Sequence, residues 1–284
     1  MQSFIQDNEI MEKIIDLEKI LYSKMGSKAR FLPLKWFEKF VHLDEINEFL
    51  GENQGKQGID FTEAALKRLK IKLELEGTEN LPASDDGKYY TFVSNHVLGA
   101  IDGIALLDIL GRRYGGASHV AVVANDILKV LSGLEPFIIG INKSGSQDRN
   151  LPQQINAAFS GDRHVMLFPA GIVARKKKGV LHDLKWNKMF VTKSVQFQRD
   201  VVPIHFIGEN SPFYYRVTRY FDWFLTRPGI GRLMNFLFMP GELVKTEGKT
   251  YRIIFGKPIP WQTFDKSKTH LEWADKVCEI VHQL

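Results

Sequence analysis

Hydrophobic positions in this chain keep one period over residues 1–80 and another beyond them. Ile10, Ile14, Leu17, Ile20 and Leu21 recur at helical spacing, as do Trp36, Phe37, Phe40 and Val41, and then Ile46, Phe49 and Leu50. Gly51 and the polar run through Gly58 read as a linker, and Phe61–Leu69 predicts a third helix. Ile71–Leu75 alternates as a strand and runs into a turn at Gly77 and Pro82. From Tyr89 onward, apolar runs at 89–94, 119–124, 137–142, 164–168, 201–207 and 251–256 predict strands. Helical segments are expected between them near 103–111, 125–133, 151–159 and 187–199. The alternation predicts an α/β fold, a mixed, largely parallel sheet flanked by helices over residues 81–284, behind an N-terminal helical region over 1–80. In such folds chemistry gathers at the carboxyl ends of strands. Three junctions lie just past such ends: His96, Asn142-Lys143 and Phe168-Pro169-Ala170-Gly171.

Composition narrows the class. At 44% hydrophobic and 25% charged residues, the chain has the balance of an ordinary globular protein. Met1–Leu21 is polar and acidic, so no secretory leader is expected, and no run approaches the roughly 18 apolar residues of a membrane span. The single Cys278 excludes an internal disulfide, and the eight histidines show no ligand spacing, so no metal and no bound cofactor are expected. Gly111–Gly116 follows a helix rather than a strand, which fails both nucleotide fingerprints, and Ser144-Gly145-Ser146 lacks the frame of a nucleophile elbow. With 38 Lys+Arg against 33 Asp+Glu the chain is mildly basic, but the basic residues form no nucleic-acid motif and no nucleic acid is expected. Their main cluster is Arg175-Lys176-Lys177-Lys178. Aromatic stretches at Phe213–Tyr215, Tyr220–Leu225 and Leu233–Met239 are interspersed with Arg216, Arg219, Arg227 and Arg232. Each such stretch reads either as an interfacial helix at anionic headgroups or as a core helix under the sheet.

The candidate chemistry centres on Ser94-Asn95-His96 and the following Asp102. A carboxylate beside a histidine can hold one imidazole nitrogen while the other takes a proton from an attacking hydroxyl. A structural alternative has Asn95 or Asp102 capping the helix and His96 packed as a core histidine.

In order along the chain, the junctions resemble the glycerolipid acyltransferase superfamily, the lysophosphatidate acyltransferase-like enzymes. Asn95-His96 and Asp102 match its first block, with one more intervening residue than the usual pattern. Ser94-Asn95-His96-Val97-Leu98-Gly99-Ala100-Ile101-Asp102-Gly103 is similar to the version in the hemolysin-related branch, which includes ornithine- and glycine-lipid O-acyltransferases. Phe137–Lys143 is similar to the second block and Val201-Val202-Pro203-Ile204 to the fourth. Phe168-Pro169-Ala170-Gly171, followed by Arg175, resembles the third block of the aminolipid branch, where phosphatidate-making members carry glutamate at the position of Ala170.

The resemblance implies a membrane-associated O-acyltransferase, peripheral on the cytoplasmic side of the cell membrane. Its donor would be an acyl carrier protein or coenzyme A thioester, and its acceptor the hydroxyl of a lyso-aminolipid of the ornithine or glycine type. The implied catalytic pair is His96 and Asp102. Asn95, Lys143, Phe168, Pro169, Gly171 and Arg175 are the implied substrate-binding residues. Lys143 is open between pairing an acceptor anion and being a solvated strand-end lysine. Gly171 is open between close substrate approach and a turn. The basic run from Arg175 is open between gripping the donor's phosphopantetheine arm, a carrier protein or a lipid and forming a solvated face. Two alternatives stand: a 1-acylglycerol-3-phosphate acyltransferase making phosphatidate, and a non-catalytic lipid-binding protein on the same scaffold.

Overall fold

The central strands are apolar on both faces and so have to be covered on both. The computed structural model describes residues 14–16, 18–19, 22, 38–39, 42–125, 128, 131–141, 151–224 and 238–284. In chain order its main elements are α1 (Leu43–Glu52), α2 (Ile59–Arg68), β1 (Lys72–Glu76), β2 (Thr91–Ser94), α3 (Ile101–Tyr114), β3 (Val120–Asn125) and β4 (Ile138–Ile141). There follow α4 (Leu151–Ser160), β5 (His164–Leu167), β6 (Arg175–Lys177), β7 (Val180–His182), α5 (Met189–Phe197), β8 (Val201–Ile207), α6 (Pro212–Phe224), β9 (Thr250–Phe255) and α7 (His270–Gln283).

Seven strands form one sheet in the order β1-β9-β8-β2-β5-β3-β4. Every neighbouring pair is parallel except β8–β9. The strand period of two sorts the central side chains between two apolar layers. Phe92, Met166, Val202 and Ile204 pack with α1, α2 and α3, whereas Val93, Val165, Leu167 and Val201 pack with α4, α5 and α7. Ile46, Leu50, Phe61 and Leu66 of the N-terminal helices share the first layer with Leu106 and Leu110 of α3. β1 is the exposed, charged edge strand of the same sheet, so residues on both sides of position 80 build one core.

All six expected strands from Tyr89 onward are present with bounds shifted by at most two residues, and three of the four expected helices are present with bounds shifted by at most three. Most of the helix expected near 125–133 lies outside the described residues, and a 3-10 turn over Ser132–Phe137 containing Pro136 follows. Leu17, Ile20, Trp36, Phe37 and the other apolar positions expected to form the first helices lie mostly outside the described residues. Two elements were not anticipated. α7 opens with a capping box between Thr269 and Glu272. The β6–β7 hairpin turns at Lys178 and Gly179, both at positive φ, a two-residue turn suited to the twist of its strands.

Candidate active site

β2 and β5 are parallel neighbours, with Val93 opposite Leu167. Their chains therefore leave the sheet side by side, and the loops that follow meet on one rim. His96 stacks on Phe168 with ring centroids 4.2 Å apart and planes inclined by 27°. His96 Nδ1 lies 2.9 Å from Asp102 Oδ2, and that oxygen also accepts the backbone N–H groups of Val97 and Leu98 at 2.9 Å each. Asp102 Oδ1 accepts the N–H of Gly103 at 2.9 Å.

Asp102 is fully buried, and burial alone pushes a carboxyl pKa up. The charge and hydrogen bond of His96, with backbone N–H donors, outweigh it and hold Asp102 below the usual carboxylate range. An ionised carboxylate only accepts, so Nδ1 carries the proton and Nε2 carries the lone pair. The His96 side chain is 15% exposed, and no described residue hydrogen-bonds Nε2. One imidazole nitrogen is thus anchored and the other is available on the rim as a base. Asp102 also serves the structural alternative, since it organises the backbone donors that precede α3.

The loop carrying His96 is held from several sides. Asn95 Nδ2 donates to the Phe206 carbonyl at 2.9 Å, and Asn95 Oδ1 accepts the Phe206 N–H at 2.7 Å. Asn95 thereby extends the β2–β8 pairing by a side chain. Asn210 Nδ2 donates to the Val97 carbonyl at 3.0 Å, and the Ala174 N–H donates to the His96 carbonyl at 2.7 Å. Gly99 sits at φ +88°, where a Cβ would stand 2.5 Å from Met239 Sδ. Asp183, buried, faces the His96 N–H through Oδ1 at 3.5 Å and accepts the Trp186 indole N–H through Oδ2 at 2.9 Å.

The structure brings His96, Asp102, Phe168 and the 171–175 segment together. Asn95 is 1% exposed with both ends of its amide on Phe206, and it holds the loop that carries His96. Pro169 is buried, and its carbonyl accepts the Asn187 N–H at 2.9 Å, so it supports the turn from below. Gly171, at φ +69°, donates its N–H to the Phe168 carbonyl at 2.9 Å, which is the turn reading. Arg175 is half-buried and donates to the Val173 carbonyl at 2.7 Å. Lys143 lies outside the described residues. Asn210 and Asp183 were missed, because nothing near them in the chain marks a contact more than 80 residues away.

Of the first aromatic stretch, Tyr214 and Tyr215 are buried beside Val173 and belong to a small core, while Arg216 and Arg219 of the same helix are exposed. Residues 225–237 lie outside the described residues, and of Tyr220–Phe224 only the helical backbone is described. Among the described residues no helix is long and apolar enough to cross a membrane.

Residues 19–279 match the model of an acyltransferase family. A protein of Phocaeicola vulgatus named lyso-glycine lipid O-acyltransferase is 45% identical over 274 residues, covering 95% of each chain. Its namesake from Bacteroides thetaiotaomicron is 44% identical over 274 residues, covering 95% of this chain and 97% of that one. The crystal structure of the 1-acyl-sn-glycerophosphate acyltransferase from Thermotoga maritima is matched at a TM-score of 0.45 and 17% identity, over 90% of this chain and 81% of that one.

Proposed function

The chain belongs to the acyltransferase family, and from that premise we propose that it esterifies the hydroxyl of a lyso-aminolipid, of the glycine-lipid type first and the ornithine type second. The donor is an acyl thioester on acyl carrier protein or coenzyme A. The observation that carries this reading is the His96–Asp102 pair on the rim, in a chain that matches proteins named for this acceptor along nearly its whole length.

His96 Nε2 takes the proton of the acceptor hydroxyl as its oxygen attacks the thioester carbonyl. Asp102 stabilises the imidazolium so formed. The tetrahedral intermediate collapses by breaking the carbon–sulfur bond, and the imidazolium returns the proton to the leaving thiolate. No acyl-enzyme forms, so the chemistry requires no serine or cysteine nucleophile. Phe168 holds the imidazole plane by stacking, and Asp102 selects the tautomer.

A non-polar acceptor calls for work at a membrane surface. Arg216 and Arg219 are exposed on α6, which packs against β6, and Lys177 and Lys178 at the end of that strand are exposed as well. These cations suit anionic headgroups or the phosphates of the donor. Lys176 is less available, since it pairs with Glu209 at 2.5 Å. We place this attachment on the cytoplasmic side, without spanning.

The test is a competition between N-(3-hydroxyacyl)-glycine or the corresponding acylated lipid hydroxyl and 1-acylglycerol-3-phosphate, with purified protein and an acyl thioester. The expected result is a higher kcat/KM for the aminolipid, since discrimination resides in that ratio. Ala170 supports this direction, because a methyl group offers neither charge nor hydrogen bond to a glycerol phosphate. Preference for 1-acylglycerol-3-phosphate transfers the assignment to phosphatidate synthesis. No turnover of either acceptor, with tight liposome binding, favours a lipid-binding scaffold.

A further inference from the structure

On the face of the sheet opposite α1–α3, three side chains from distant parts of the chain converge. Cys278 and His282 sit one turn apart on α7 and so project from the same side of that helix. Asp183, which follows β7, meets them there. One donor atom from each of the three lies within 4.8 Å of the others. Asp183 Oδ2 is 3.4 Å from His282 Nε2. A charge-assisted hydrogen bond closes to about 2.7–2.9 Å. Two ligands on a tetrahedral ion with bonds of about 2.0–2.2 Å stand roughly 3.3–3.6 Å apart, which is the separation found.

A further buried imidazole nitrogen flanks the cluster. His205 on β8 stands edge-on to His282, with ring centroids 5.5 Å apart and an interplanar angle of 77°. Its buried Nδ1 has no hydrogen-bond partner among the described residues, an uncompensated cost for a buried polar atom.

We propose that Asp183, Cys278 and His282 bind a borderline-soft divalent cation of the zinc class, with water completing its coordination. Binding exchanges one proton, from Cys278, for the ion, and the two anionic ligands neutralise its charge. The Trp186 indole N–H on Asp183 Oδ2 orients the carboxylate as an outer partner of the site. The site is separate from His96 and Asp102 and does no chemistry on the substrate. Its role is to tie α7 to the strand-end loops through Asp183, whose other oxygen faces the His96 N–H.

The experiment is titration of chelator-treated full-length protein with cobalt(II), followed by displacement with zinc(II). The chain has one cysteine, so a thiolate-to-cobalt charge-transfer band reports Cys278 alone. The expected result is one equivalent bound, that band together with tetrahedral d–d bands, release of about one proton, and loss of the spectrum on adding zinc. Cys278→Ser should abolish the charge-transfer band. His282→Ala should weaken cobalt binding by roughly tenfold or more, while His42→Ala should leave it unchanged. A wild-type spectrum without the thiolate band overturns the proposal, whether or not the variants fold. So does a stoichiometric uptake indifferent to His282→Ala in a folded variant. Asp183 and His282 then form an ion pair and nothing more.

Discussion

Two histidines stand at opposite ends of the same central strands, and their surroundings set them apart. His96 follows the carboxyl end of β2, with a carboxylate on Nδ1 and its other nitrogen on the rim. His164 opens β5 at the amino ends of the strands. Its ring lies among Tyr89, Tyr90, Phe92 and Tyr114, the last with centroids 4.1 Å away. Its Nδ1 accepts the Tyr90 N–H at 3.1 Å. Burial, reinforced by the Arg199 guanidinium, lowers its pKa to about 4. His164 is thus a neutral, hydrogen-bonded piece of core, the role that the structural alternative offers to His96. The same imidazole becomes a base where a carboxylate fixes one nitrogen and leaves the other on the rim, and a filler where rings pack around it and burial keeps it neutral.

The contrast breaks most sharply at His96. His96→Ala should lower turnover by about 10²–10⁴-fold, the scale of losing a general base, with far-UV circular dichroism unchanged. His164→Gln should keep turnover within a few-fold of wild type, because its ring is remote from the rim. Turnover close to wild type in folded His96→Ala removes His96 from the chemistry.

Asp102→Asn comes next. An amide at this position must turn its NH2 toward the imidazole or toward one of the backbone N–H groups that Asp102 now satisfies. The expected loss is on the order of 10²-fold in kcat, together with about 1–3 kcal/mol of stability for the unsatisfied buried donors. Retained kcat with lowered stability would reduce Asp102 to a helix-entry anchor. Its depressed pKa also signs its pH behaviour. The stabilisation is present above the unfolded carboxyl value of 3.8 and is lost as pH falls through the lower folded value.

Much of this contrast was legible before any coordinates. His96 and Asp102 lie only six residues apart, so a strand-to-helix turn suffices to bring them together. The order of strands and helices was equally readable, since each element is a local periodicity. What escaped is what the sheet assembles from afar. Asn95 lies beside His96 in the chain and shares its motif, yet its amide is spent on Phe206, 111 residues away, and only strand pairing reveals that. Asp183, Cys278 and His282 show the same limit from the other side. The histidines have no ligand spacing in sequence, but α7 was not anticipated, and it is the helix that turns a Cys278-to-His282 interval into one face.

Asn95→Ala sharpens the comparison through stability rather than chemistry. It strips partners from the buried Phe206 N–H and carbonyl, at about 1–3 kcal/mol for each group left unpaired. Chemical denaturation should show that loss. KM should move less than kcat, because the loop that aims His96 loosens while no substrate contact is removed. A rise in KM at constant kcat and unchanged stability would restore Asn95 to the substrate.

The smallest effect belongs to His164 and appears only in acid. Its folded pKa of about 4 lies below the ordinary value of 6.5, so between the two the unfolded chain holds more protons than the folded one. Stability due to the neutral ring is therefore complete above pH 6.5 and drains away as pH falls toward 4. At pH 5.5 the loss is about 1 kcal/mol. His164→Gln keeps an acceptor for the Tyr90 N–H and cannot titrate. The difference in unfolding free energy between wild type and this variant should therefore shrink in the variant's favour between pH 7.5 and 5.5, by that amount. Groups common to both proteins, His205 included, cancel in the subtraction. A difference that stays constant across this range means that His164 accepts a proton in the folded protein, and the division between a catalytic rim and an inert floor then fails at its floor.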